Sequence, residues 1–299
     1  MRAAFFGTSP FAVPSLRALA NAAQVVAVVT QPPRPSGRGK RVQPTAVAAE
    51  AEALGIPAWS PERVREIIDP MRALHADVFA VASYGKILPQ ALLDIPAHGA
   101  LNVHPSLLPL YRGATPLQAQ IRDLCTVTGV TIIVMDAGMD TGDIVVQHET
   151  PLGERETYGE LEARLALLGA EALIEALALL EAGKLSPRKQ SGHATLTRPL
   201  HNDDLSIDWK QNARRVDAFV RSLSPQPGAR GDIEGTSCKI VEVHPIPAEA
   251  GAAPGTALRL SRGIAIACGE GAVAIDRLIP PNRAAMSGEA FAASFFAPR

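Results

Sequence analysis

At 299 residues, with 47% hydrophobic and 20% charged side chains, the chain has room for about two domains and is neither disordered nor collagen-like. Its 29 basic and 30 acidic residues give a formal net charge of −1, which excludes a polycation that clamps DNA by bulk charge. No apolar run approaches the roughly 18 residues needed to cross a bilayer, and Cys125, Cys238 and Cys268 supply neither a disulfide framework nor a paired-cysteine zinc site. The opening MRAAFFGTSP predicts no secretory leader, because its apolar block is short and broken by Gly7, Ser9 and Pro10. The expectation is a cytoplasmic, thiol-tolerant enzyme.

Taken in order, residues 2–6 read as a strand and 10–22 as a helix with apolar positions at Phe11, Val13, Leu16 and Leu19. Residues 24–30 (QVVAVVT) form a β-branched run that suits a strand buried on both faces. A helix is predicted over 45–54, then strands over 76–82, 99–103 and 129–135. Strands alternating with helices imply βαβ units and a mostly parallel sheet. A long helix is predicted over 156–183, with Leu161, Leu165, Leu168, Ala172 and Leu179 near one face and Gly183 as its stop. Residues 185–205 are polar and rich in Ser, Thr, Pro and His, which marks a linker. Beyond it come a helix over 207–223 and short strands over 238–244, 255–260, 263–268 and 271–278, a small β domain of barrel or sandwich type. The predicted division is therefore 1–184, linker 185–205, and 206–299.

Three segments could carry chemistry. In Leu101-Asn102-Val103-His104-Pro105-Ser106-Leu107-Leu108-Pro109, Asn102 and His104 sit two apart on a strand and share a face at its carboxyl end, the edge where open α/β sheets bind ligands. An amide beside an imidazole offers two donors to a developing oxyanion, and the imidazole can shuttle a proton. The plainer alternative is a turn cap and a satisfied core histidine. In residues 130–143, Asp136, Asp140 and Asp143 could each orient that histidine, and spacing alone does not choose among them. The acids do not fall at calcium-loop positions. The loop QPPRPSGRGKRVQP gathers Arg34, Arg38, Lys40 and Arg41 without an acid, which suits phosphate contacts as well as a solvated surface. GxGxxG, GxxxxGK[ST] and GxSxG motifs are absent, Ser106 lacks a nucleophile elbow, and the cysteines read as structural.

These segments, with Phe5-Phe6-Gly7-Thr8, Ser83-Tyr84-Gly85-Lys86-Ile87-Leu88-Pro89, Tyr111-Arg112-Gly113, Asp140-Thr141-Gly142-Asp143 and Ile207-Asp208-Trp209, resemble the methionyl-tRNA formyltransferases along essentially the whole chain. The resemblance implies a Rossmann-like, mostly parallel α/β formyltransferase domain followed by a small OB-like β-barrel. It implies Asn102, His104 and Asp140 as catalytic residues. Ser106, Leu107, Leu108 and Pro109, with Tyr84, Gly85, Ile87 and Leu88, would form the tetrahydrofolate site. Arg38, Lys40 and Arg41 would meet the tRNA. It further implies 10-formyltetrahydrofolate as formyl donor, initiator methionyl-tRNA as acceptor, no metal, no DNA, no membrane, and a monomer. A relative acting on an amino sugar or on glycinamide ribonucleotide would share the trio but not the basic loop, and a folate sensor would keep the pocket without turnover. The chain departs from the family at Thr195-Leu196-Thr197-Arg198, where a Tyr and lysines are usual, at Gln226, where a Trp is usual, and at residues 281–286, where paired lysines are usual. From Leu205 onward, eleven basic residues face nine acidic ones, a weak electrostatic grip for a tRNA-binding tail.

Overall fold

A computed structural model describes residues 1–36, 41–247 and 251–296. The chain divides into two compact units, one of residues Met1–Pro116, Val127–Pro151 and Glu162–Arg198, the other of Leu117–Thr126, Leu152–Leu161 and Pro199–Arg299.

The first unit is built on seven strands: β1 (Arg2–Gly7), β2 (Gln24–Val29), β3 (Ala58–Trp59), β4 (Val78–Ala82), β5 (Ala100–His104), β6 (Val127–Val134) and β7 (Asp143–Pro151). Their order across the sheet is β7-β6-β5-β4-β1-β2-β3. The five strands from β3 to β5 are parallel, and β6 and β7 extend the β5 edge antiparallel. That is the expected Rossmann-like, mostly parallel sheet, with its order reversing at β1. Every residue of β4 (VFAVA) and β5 (ALNVH) is buried, as strands covered on both faces must be. Phe5, Phe6, Phe79, Leu101 and Ile132 are fully inaccessible, each contributing roughly 1.5–3 kcal/mol by burial.

Helices close both faces. The turn Pro10–Ala12 and α1 (Val13–Ala22) lay Leu16 and Leu19 on the sheet, and Thr45 caps α2 (Ala46–Ala53) by accepting from the Ala48 amide. Of the long helix Tyr158–Glu181, the first unit takes the part from Glu162. Its buried stripe, including Leu165, Ala172, Leu173, Ala176 and Leu177, is largely alanine on one side, and Leu179 lies at its margin. At Gly169 a Cβ would stand 2.6 Å from the Val103 side chain, so glycine lets this helix press directly onto β5, the strand that carries Asn102 and His104.

In the second unit a helix over Ala213–Ser222 packs on an antiparallel sheet of β8 (Ala229–Ile233), β9 (Thr236–Ile246), β10 (Ala257–Arg259), β11 (Ile264–Ala267) and β12 (Ala272–Ile279), ordered β8-β9-β12-β11-β10, with β13 (Met286–Ser287) added to β12. Two register irregularities around Glu242 bend β9 and curl the sheet into a half-barrel, in keeping with the expected OB-like architecture. The predicted helix over 207–223 begins only at Ala213. Asn212 is extended and its side-chain oxygen accepts from the Arg215 amide, an N-cap that stops helix from propagating backward. Asp217, buried within this unit, holds Arg155 at 2.5 Å and Arg221 at 2.8 Å.

The predicted linker is not a free tether. Arg188 makes an antiparallel bridge to Ile144, and Leu196–Thr197 pairs in parallel with Arg112–Gly113, both within the first unit.

Candidate functional site

Asn102 and His104 project from the last turn of pleat of β5, on one face, at the carboxyl edge of the parallel strands. Both are buried, 9% and 4% exposed, so their polar atoms need partners. Of the three candidate acids, the structure brings Asp140 to them. Its Oδ1 lies 3.4 Å from the Asn102 amide nitrogen and its Oδ2 3.5 Å from His104 Nδ1. These contacts are long, and the tight partner of Oδ2 is the Gly113 amide, donating at 2.8 Å. Asp136 is spent on its own loop, where Oδ1 accepts from the Gly138 amide and the Thr141 hydroxyl. Asp143 pairs with Lys189.

Asp140 reaches this position with a φ of +52°, in the left-handed region that costs a non-glycine residue on the order of 1 kcal/mol. Ser83 (+46°) and Tyr111 (+59°), in the loops after β4 and β5, share that region. Strain of this kind persists where surroundings over-determine it. For Asp140 those surroundings are Gln190, whose amide nitrogen donates to the carbonyls of Asp140 and Gly142 at 2.8 Å each. The Gln190 carboxamide oxygen in turn accepts from Arg112 Nε (3.1 Å) and Nη2 (2.7 Å).

His104 Nε2 lies 2.9 Å from the Tyr111 carbonyl, so each ring nitrogen faces an oxygen, closely at Nε2 and at longer range at Nδ1. Tyr111 itself is fastened by its amide to the Thr195 hydroxyl at 2.7 Å.

The loop after β5 turns through a cis Leu108–Pro109 peptide. Its anchor is Thr131 on β6, the cross-strand neighbour of His104. The Thr131 hydroxyl donates to the Ser106 carbonyl at 2.6 Å and accepts from the Leu108 amide at 3.2 Å and from Gln147 Nε2 at 2.9 Å. Ser106 is wholly buried, with its hydroxyl on the Leu110 carbonyl, and Leu108 packs with Ile133 and Ile144, which leaves Leu107 and Pro109 as the partly exposed members of this quartet.

After β4, the quartet around Tyr84 splits in the same way. The Tyr84 ring is buried edge-on against Phe6, its hydroxyl has no hydrogen-bond partner among the described residues, and burial pushes its pKa up to about 12. Leu88 is also core, whereas Ile87 is 80% exposed and Gly85 takes a φ of +76° with the Gln31 side chain against it. The Tyr84 carbonyl accepts from Thr8 and Gln31, tying together the loops that follow β1, β2 and β4. Arg38 and Lys40 lie outside the described residues. Arg41 opens a two-residue strand, Arg41–Val42, that pairs with Pro35–Ser36.

Sequence reasoning passed over Gln190, Thr131 and Gln147, and gave Arg112 and Thr195 no part in the site. Nothing local distinguishes them, because each acts through a partner between 16 and 84 positions away. Among the described residues no cluster of histidine, cysteine and carboxylate side chains could hold a metal, and no helix is long and apolar enough to cross a membrane.

This arrangement, an amide and an imidazole flanking one carboxylate without an activated nucleophile, suits transfer of an acyl group to an external amine. Comparison with known proteins agrees in kind. The formyl transferase family matches residues 1–177, and the formyl transferase C-terminal domain family matches residues 199–295. Among solved structures, HypX from Aquifex aeolicus in complex with tetrahydrofolic acid superposes with a TM-score of 0.69 at 18% identity over 99% of this chain, which spans 47% of the HypX chain. An N-formyltransferase from Helicobacter canadensis, in complex with folinic acid and dTDP-3-aminofucose, gives 0.69 at 18% identity over 91% of this chain and 98% of that one. Both likenesses speak to the fold. Closer relatives are the methionyl-tRNA formyltransferases of Anaeromyxobacter dehalogenans strain 2CP-1, 45% identical over 96% of this chain and 95% of the relative, and of Gluconobacter oxydans, 44% identical over 97% and 96%. With both units matched and such relatives collinear almost end to end, the chain belongs to the methionyl-tRNA formyltransferase family.

Proposed function

We propose that the protein transfers the formyl group of 10-formyltetrahydrofolate to the α-amine of initiator methionyl-tRNA. What carries this reading is the convergence of Asn102, His104 and Asp140 at the sheet's carboxyl edge, in a chain collinear with methionyl-tRNA formyltransferases. The reaction forms a C–N bond at the amine, breaks the formyl C–N bond at the folate N10, and moves one proton from the first nitrogen to the second. A free α-amine has a pKa of about 7.7–8.0, and the adjacent ester lowers it, so much of the acceptor is neutral near pH 7 and needs no strong base.

The chain's own groups then act on the oxyanion that develops on the formyl oxygen. The Asn102 amide carries two hydrogens; Asp140 takes one, and the other is offered to the oxyanion. His104 adds its Nε2–H, which exchanges the Tyr111 carbonyl for the substrate, and it relays the proton between the two nitrogens. Asp140 holds the imidazole at Nδ1 and keeps its plane fixed. Ser106–Pro109 and Tyr84–Leu88 frame the folate, while Arg38, Lys40 and Arg41 meet the acceptor end of the tRNA. In this reading residues 1–184 are the catalytic domain, 185–205 the connection, and 206–299 a tRNA-binding domain; the enzyme works in the cytoplasm as a monomer.

The test is formyl transfer from 10-formyltetrahydrofolate to charged initiator methionyl-tRNA, run beside elongator methionyl-tRNA, Arg38→Ala and His104→Ala. Initiator-selective transfer should weaken in Arg38→Ala. It should fall a hundred- to a thousandfold in His104→Ala, with folate binding retained, as for loss of an oxyanion donor. Folate binding with no transfer to either tRNA, or full turnover without His104, would refute the proposal.

A further inference from the structure

Among the described residues, the carboxylate brought to His104 sits on a strained residue, and one side chain from elsewhere in the chain holds that residue's backbone carbonyl. We infer that Gln190 is a positioning residue for formyl transfer: its carboxamide locks the Asp140 loop in the one conformation that aims the carboxylate at Asn102 and His104. The inference rests on the catalytic role proposed for Asp140.

Every hydrogen-bonding position of this carboxamide is used. Its two N–H groups go one each to the Asp140 and Gly142 carbonyls, and its two oxygen lone pairs receive Arg112 Nε and Nη2. The amide's orientation is therefore set by its surroundings: turned over, it would press an NH2 against a guanidinium and an oxygen against two carbonyls. The backbone beneath Gln190 is also placed, because Arg188 exchanges both ladder hydrogen bonds with Ile144, one residue past Asp143. The same Arg112 that orients Gln190 precedes Gly113, whose amide grips the Asp140 carboxylate. Asp140 is thus clamped twice by one assembly, at its carbonyl through Gln190 and at its carboxylate through Gly113. Lacking Gln190, nothing else in the described contacts holds the Asp140 and Gly142 carbonyls, and the left-handed φ of +52° can relax toward a common conformation, carrying the carboxylate away from the imidazole. Gln190 is only partly buried and touches neither Asn102 nor His104 in the described contacts, so it acts through Asp140.

The experiment uses the full chain, charged initiator methionyl-tRNA and 10-formyltetrahydrofolate. It compares Gln190→Met, which keeps length and removes all four hydrogen bonds, with Gln190→Glu, which keeps an acceptor for Arg112 but turns an oxygen on the two carbonyls. Each should lower kcat roughly ten- to a hundredfold while KM for both substrates stays within about threefold, the signature of a misplaced group rather than a lost binding contact. Arg112→Met, which frees the carboxamide without removing it, should give a smaller fall in kcat. In an Asp140→Asn background, Gln190→Met should cost almost nothing further, because both act through one carboxylate. Folate binding followed by fluorescence shows that the variants are folded. Parent kcat in Gln190→Met, a loss confined to KM, or losses that multiply in the double variant would overturn the assignment of Gln190 and leave the role of Asp140 intact. Parent turnover in Asp140→Asn alone would instead strike the underlying catalytic reading.

Discussion

Thr131→Val isolates what the loop after β5 owes to one hydroxyl. The replacement is nearly isosteric and β-branched, so strand preference and packing volume on β6 are preserved. Thr131 is wholly inaccessible, and its hydroxyl serves the Ser106 carbonyl, the Leu108 amide and Gln147 together. Gln147 keeps the Leu108 carbonyl as a partner at 3.0 Å. The Ser106 carbonyl and Leu108 amide lose this partner in the interior. At roughly 1–3 kcal/mol for each orphaned buried group, and with some outward relaxation of the loop, the expected loss is about 2–4 kcal/mol. Thr131→Ser, which keeps the hydroxyl and drops a methyl, should lose only about 1 kcal/mol. Urea unfolding of the full chain measures both, read on the transition of the first unit. Because the same loop is proposed to frame the folate, KM for 10-formyltetrahydrofolate should rise several-fold in Thr131→Val and little in Thr131→Ser. A valine variant within about 0.5 kcal/mol of the parent, with parent KM, would refute the claim that this hydroxyl organises the loop.

Two further predictions concern the second unit. Asp217 is 5% exposed on its side chain and neutralises a guanidinium, that of Arg221, which is 6% exposed; Asp217→Asn should therefore destabilise by about 3 kcal/mol, whereas removing the half-exposed Arg155 should cost nearer 1 kcal/mol, both by urea unfolding. Burial pushes the Cys268 thiol up from its ordinary 9.0 to about 11. The unfolded chain loses this proton first as pH rises, so the native state should lose stability between pH 9 and 11, by on the order of 2 kcal/mol in all. Cys268→Ala, compared by thermal melts at pH 8 and pH 10.5, should show a shallower alkaline decline; an equal slope in both proteins would refute it.

Much of the first unit was legible because a strand covered on both faces must be apolar throughout, as ADVFAVA and QVVAVVT are. The site pair was legible for a related reason: Asn102 and His104 are polar residues at alternate positions of such a strand. The strand β7, absent from the sequence reading, announces itself only by alternate burial of Ile144 and Val146, a period that a helix-strand alternation obscures. The β8–β9 hairpin was also missed, although Glu234-Gly235, both with positive φ (46° and 85°), form its two-residue turn. Choosing Asp140 from Asp136 and Asp143 was beyond spacing, since three carboxylates within eight residues differ only in which partners consume them, turn contacts for Asp136 and Lys189 for Asp143. Gln190 left no local trace, because its significance lies in carbonyls about fifty positions earlier.

The pairing of Arg112–Gly113 with Leu196–Thr197 bears on the order in which the molecule is made. A ribosome that has released residues 1–184 has already extruded all seven strands of the first sheet together with Asn102, His104 and Asp140. It has not yet supplied Gln190, Thr195 or Thr197, the residues that hold Asp140 and the Tyr111–Gly113 loop in place. Since domains fold as they emerge, the scaffold can form first while its reactive edge stays loose. On the roles proposed for Asn102, His104 and Asp140, catalytic competence is then a late event in the life of each chain, withheld until the polypeptide has doubled back across its own sheet edge.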